Sequence, residues 1–229
     1  MRFPSTDQLA TVLQSAESAA PSYPVLDASP LYIQQSLLFP YMEGTRFFNA
    51  IYDKLGQSAF RAVFSDAPTD TAQIYHPDLY FAHVKASQPE APRPVLKGGE
   101  TEIASGSLGE FDQRMLIWQF NGKAKAVALS PHARGGGYRI VGTGKKHKQI
   151  LLEYASLWDS DASASDYLAT YKEALRKKWK RCDPTTDTPD LFSGTGDNGY
   201  FVARRAGQLV TSVEGIPEKT DWKHIASAR

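Results

Sequence analysis

Cysteine occurs once in this 229-residue chain, at Cys182, which excludes an internal disulfide and any zinc cluster built from cysteine thiolates. No run of about 18 uncharged apolar residues is present, so no transmembrane helix is expected. Met1-Arg2-Phe3-Pro4 carries a charge but has no apolar stretch behind it, so no secretory signal is expected. If Met1 is the native start, the expected compartment is the cytoplasm; if the chain is a piece of a longer one, that expectation lapses. A His-Glu-x-x-His zinc-peptidase motif is missing, and no internal repeat is found.

What is present is ordinary for a folded protein. Hydrophobic residues make up 41% and charged residues 22%, enough apolar material for a core and too much for a disordered chain. The length allows one large domain or two small ones.

The net charge of +1 conceals an uneven distribution. Residues 1–122 carry a balance of −5, residues 123–181 a balance of +8, and residues 182–229 a balance of −2. A basic centre between acidic flanks suits an anionic ligand or partner, or complements the chain's own acidic flanks. Arg134, Arg139, Lys145, Lys146 and Lys148 are the candidate contacts in the first case. Arg176, Lys177, Lys178, Lys180 and Arg181 crowd the end of an expected helix, where cations also favour the helix dipole.

Periodicity organises the chain as α+β. A short helix is expected over 5–18, with Leu9, Val12 and Leu13 on one face, followed by a proline-rich connector over 19–30. Pro40 is placed to start a helix over 41–55 that ends at Gly56, and Ser58 caps a second short helix. Thr71 to Ile74 reads as one helical turn. Residues 85–107, rich in Pro, Gly, Ser and Thr, read as a crossing segment between a helical part (1–84) and an α+β part (108–217). In the latter, helices are expected over 108–120, capped by Ser107 with Glu110, and over 161–180, opened by a Ser163–Asp166 capping box; a shorter helical piece fits 122–130. Two hairpins, 138–157 and 199–214, predict an antiparallel sheet of about four strands covered by the two long helices. Residues 182–198 read as a polar loop and 218–229 as a tail.

Candidate chemistry is sparse. His76 and His83 lie seven apart, but Pro77 interrupts any helix that would align them as metal ligands, and His76 reads as a loop or capping residue. Ser107 stands between Gly106 and Gly109, near the spacing of a serine-hydrolase turn, yet it opens a helix with no hydrophobic strand before it, which fits an N-cap. Gly135-Gly136-Gly137 precedes a strand, whereas phosphate-cradling loops follow one. Cys182 follows five cations that favour its thiolate, or is an incidental surface thiol. Basic residues are not interleaved with exposed aromatics as nucleic-acid binding requires. No cofactor is implied.

The stretch Leu37-Leu38-Phe39-Pro40-Tyr41-Met42-Glu43-Gly44-Thr45-Arg46-Phe47-Phe48 resembles a Pro-Tyr-x-x-Gly segment in uncharacterised bacterial proteins related to gluzincin-type zinc metallopeptidases. The likeness continues with Gly56 and Phe60, with Thr71 to Tyr80, with Leu108-Gly109-Glu110, with Trp158-Asp159-Ser160-Asp161-Ala162 and Tyr167, and with Val213 to Pro217. In that group the zinc-binding helix and glutamate ligand lie upstream of the Pro-Tyr-x-x-Gly helix, and neither is found in the 40 residues before Tyr41. The resemblance therefore implies the part that follows an active site, with Tyr41, Glu43 and His76 as a vestigial site. Tyr41 would inherit the role of hydrogen-bonding an oxyanion, or serve as a packing residue at a helix start. A non-catalytic binding or structural module is expected; the alternatives are a fragment of an active peptidase whose ligands lie upstream of Met1, and a binder of small anions or acidic partners.

Overall fold

The computed structural model of the chain describes residues 23–94, 100–144 and 149–217. The helix expected over 5–18, the tail over 218–229 and Lys145, Lys146 and Lys148 lie outside them. Met1–Lys85 and Ala86–Arg229 form two compact units. Among the described residues no helix is long and apolar enough to cross a membrane.

The described part of the first unit is helical: α1 (Pro24–Asp27), α2 (Leu31–Leu55), α3 (Ser58–Ser65), α4 (Thr71–Tyr75) and α5 (Pro77–Phe81). Pro40 does not start a helix; it sits inside the 25-residue α2. A mid-helix proline forfeits one backbone hydrogen bond, and α2 carries Pro40 on its exposed side. Asp70 caps α4, its carboxylate accepting from Ala72 N at 3.0 Å. The core forms on the C-terminal half of α2, where Phe47 and Ile51 pack with Ala59 and Tyr80. Phe47 meets the Tyr80 ring edge-on at 5.2 Å. Tyr80 also donates its hydroxyl to Asp66 O at 2.8 Å, and buried Gln73 donates to Val84 O at 2.7 Å, which ties the loops down.

The second unit is α+β. Its elements are β1 (Glu100–Leu108), α6 (Glu110–Asn121), α7 (Lys123–Leu129), a 3-10 turn (Ser130–His132), β2 (Ala133–Thr143), β3 (Gln149–Trp158), α8 (Asp161–Lys178), β4 (Asp183–Thr188), β5 (Leu191–Gly196), β6 (Gly199–Ala206) and β7 (Leu209–Ile216). The sheet has seven strands in the order β1-β2-β3-β7-β6-β5-β4, every pair antiparallel. The mixed class is as expected, but four strands is an undercount.

The three additional strands hide in composition. β1 falls in the expected crossing segment and is exposed at most positions, so it lacks apolar alternation. β4 and β5 fall in the expected polar loop. They pair closely because Gly194 has no side chain; a Cβ there would stand 2.2 Å from Asp183 O. Ser107 lies within β1, opposite Gly137, rather than capping a helix. Gly109 precedes α6 instead, and its N–H donates to Asp112 Oδ2 at 2.8 Å. Similarly α8 is capped by Ser160, whose hydroxyl accepts from Ser163 N at 3.1 Å. β2 starts at Ala133 and takes in all three glycines. Gly135 sits at φ +122° where a Cβ would strike the Ser87 backbone, and Ser87 N donates to Arg134 O at 2.7 Å. Glycine thus lets the incoming chain lie against the sheet.

α6 and α8 cover one sheet face. Ile117, Leu168, Tyr167 and Leu175 from the helices pack on Tyr154, Trp158, Phe192, Phe201 and Val210 from the strands. Val141, Leu151, Val202, Val213 and Ile216 make a second buried cluster. Each such large apolar side chain contributes about 1.5–3 kcal/mol on burial.

Candidate functional site

The residues singled out by the sequence are placed as follows. Tyr41 is 75% exposed on α2. Glu43 is engaged one turn away by Arg46 Nη1 at 2.7 Å. His76 is the junction residue between α4 and α5, with its N–H donating to Ala72 O at 2.8 Å. His83 has a positive φ of 51° and lies 3.4 Å from Asp66. Among the described residues no group of three His, Cys, Asp or Glu side chains could hold a metal ion.

The basic stretch is occupied largely by the chain's own acceptors. Arg134 donates to the carbonyls of Pro131 and Ala133 at 3.0 and 2.9 Å and approaches Asp159 at 3.3 Å. Lys172 and Arg176 both pair with Asp187. Lys177 donates to Phe120 O at 2.7 Å, and Lys178 to Glu214 at 2.6 Å. Cys182 does not have the lowered thiol the nearby cations suggested. Burial raises it, and the charges of Asp183, Asp187 and Asp197 outlast the opposing pull of Arg176.

Three constellations emerge that the sequence did not display. The first joins the 3-10 turn to the start of α8. His132 Nδ1 lies 2.7 Å from Asp159 Oδ2, while Asp159 Oδ1 accepts from Ser163 at 2.6 Å. Burial works against the Asp159 charge, but Ser163, His132 and Arg134 outweigh it and hold the carboxyl below its ordinary value. Behind this cluster, buried Glu110 accepts from Arg114 at 2.9 Å and from Ser130 at 3.2 Å, anchoring the turn that carries His132. The order is His–Asp–Ser, with the carboxylate in the middle. A serine nucleophile needs the imidazole between serine and acid, so this arrangement orients His132 and caps α8 without activating Ser163.

The second is a polar column beneath α8. Tyr154 donates to Gln113 at 2.8 Å and shares a 2.5 Å contact with Tyr167. Tyr171 donates to Glu214 at 2.5 Å. Burial pushes Tyr154 up to about 12 and raises Tyr167 and Tyr171 well above their ordinary value, so all three stay protonated as donors. The Trp158 and Tyr167 rings stack at 4.3 Å, so the column is packed rather than hollow.

The third lies around Arg139, on the sheet row that also holds Val213 and Val202. Its guanidinium serves three carboxylates: Glu102 at 2.9 Å, Glu153 at 2.7 Å and Glu100 at 3.6 Å. Glu153 is fully buried, and its Oε1 has no hydrogen-bond partner among the described residues. Desolvation lifts Glu153 to about 7, against the pull of Arg139. Arg139, expected as an anion contact, is thus enclosed by anions.

The helical unit contributes an open apolar surface. Along α2, Tyr32, Ile33, Leu37 and Leu38 are 40–57% exposed, beside Tyr41. Tyr23, Val25, Leu26, Ser29, Ile33 and Leu37 line a groove of about 440 Å³ between α1 and α2. The exposure of the first half of α2 is visible only once the core is placed on its second half. No family profile, curated protein or solved structure matches this chain.

Proposed function

We propose that this chain is a non-catalytic binding module whose helical unit offers the first half of α2 to an apolar partner surface. The observation that carries this reading is the groove with its flanking exposed side chains, Tyr32, Ile33, Leu37, Leu38 and Tyr41. Apolar side chains scattered singly on a surface need no explanation, but a contiguous set lining a concavity is the signature of an interaction site. The His132–Asp159–Ser163 cluster of the α+β unit supports the same reading: it fixes a turn and the start of α8, as a scaffold requires.

In a trial of the purified chain with equimolar zinc and an unfolded protein substrate, this reading expects no cleavage. Cleavage that a chelator abolishes would overturn it. A second reading draws on the likeness of Leu37–Phe48 to the segment that follows the zinc helix in gluzincin-type peptidases. In it, an upstream catalytic part covers the same face of α2. It expects an in-frame His-Glu-x-x-His before Met1 in the genomic sequence. The anion-binding reading is less favoured, since Arg134 and Arg139 already have carboxylate partners.

A further inference from the structure

We infer that Glu153 is the control element of a proton-operated latch, and that its ionisation loosens edge strand β1 from the rest of the sheet. Among the described residues β1 is the outermost strand and pairs only with β2. Its side chains are exposed at most positions, so little apolar burial holds it there. Besides its backbone ladder with β2, what ties its first half down is charge. Glu100 and Glu102 reach Arg139 on the neighbouring strand β2, at 3.6 and 2.9 Å. Ser105 donates to the other Glu102 oxygen at 2.6 Å and keeps that carboxylate in position.

Arg139 is shared, and the competitor is Glu153 on β3, directly opposite it in the ladder and 2.7 Å from its Nη1. Among the described residues the charged groups that face Glu153 are few. β2 presents Arg139, β1 presents Glu100, and the chain leading into the unit presents Arg93. β7 presents uncharged Val213 at the same register. With Glu153 protonated, Arg139 and Arg93 balance Glu100 and Glu102. With Glu153 ionised, a fully buried carboxylate with one unsatisfied oxygen claims the guanidinium and repels Glu100. Both effects act against β1. The register also shifts between Glu102 and Ala104, a bulge within the segment that must yield. Loosening β1 uncovers the edge of β2, a row of backbone donors and acceptors ready to pair with another strand.

The test is amide hydrogen exchange on the full chain at about pH 6 and about pH 8, corrected for intrinsic rates, with β5 and β6 as internal reference. Protection over Glu100–Leu108 is expected to fall about tenfold or more between the two while the reference stays constant. In Glu153→Gln, which cannot ionise, β1 is expected to remain as protected at the higher pH as at the lower. A wild-type chain without the step, or a Glu153→Gln variant that keeps it, would overturn the latch. Should that variant fail to fold, Glu100→Gln removes the repelling charge instead. A smaller step in Glu100→Gln supports the latch, and an unchanged step refutes it.

Discussion

The two units place their least comfortable side chains in opposite ways. In the helical unit the anomaly is apolar and outside: Val25 is 88% exposed, and Leu37 and Tyr41 follow it on α2. In the α+β unit the anomaly is polar and inside: Glu110, Glu153, Lys172 and Glu214 are buried. An exposed apolar side chain weakens nothing by being removed, because it has little burial to lose. A buried charge is costly unless its partners are retained. The first pattern suits a surface awaiting a partner, the second a frame whose shape depends on keeping each buried charge with its partners.

The sharpest way to test that contrast is to cut into the frame. Trp158 is fully buried and stacks on Tyr167 at 4.3 Å, so Trp158→Ala is expected to cost about 3–5 kcal/mol in chemical denaturation. A loss near zero would mean that the α+β core is not packed as described.

Next in size is the effect of pH. Glu153 holds its proton to about 7 in the folded chain, against an ordinary 4.5 when unfolded. Folding therefore takes up a proton between those values, so the stability this group contributes is complete below the lower value and lost as pH rises through the higher one. Denaturation midpoints should fall across that window by the equivalent of about 3 kcal/mol at most, and Glu153→Gln should flatten the slope. Asp159 and Asp187, both held low, act in the other direction and lose their contribution only at more acidic pH.

Smaller again is the cap of α8. Ser160→Ala removes the acceptor for Ser163 N and is expected to cost about 1 kcal/mol. Smallest is Leu37→Ala on the open face, expected within about 0.5 kcal/mol of wild type. A large loss there would show that Leu37 is a core residue and would erase the distinction between the units.

The amphipathic helices were legible from the sequence because their apolar stripes are strong: Phe47 and Ile51 in α2, Tyr167, Leu168, Tyr171 and Leu175 in α8. β3 and β7 were legible for the same reason. β1, β4 and β5 were not, because edge strands and glycine-rich strands carry little apolar alternation. Pro40 misled, since a proline exposed on a long helix looks like a helix start. The Arg139 cluster was half visible: the arginine stood out as a cation, but Glu100 and Glu102 lie 53 and 51 positions before Glu153, and the three meet only through the β1-β2-β3 ladder. His132 and Asp159 meet through the same ladder's far end, where Asp159 N also donates to His132 O at 2.9 Å. Nothing in the sequence around Trp158-Asp159 signals that a histidine 27 positions before Asp159 meets it.

The docking face of α2 is the claim on which the functional account rests, and titration with an environment-sensitive apolar dye tests it most directly. Wild-type chain should give a saturable rise in dye fluorescence. The double variant Ile33→Asp, Leu37→Asp should lose that rise while keeping its melting temperature, since both side chains line the groove and neither belongs to the core. A fluorescence rise that survives the double variant would contradict the account.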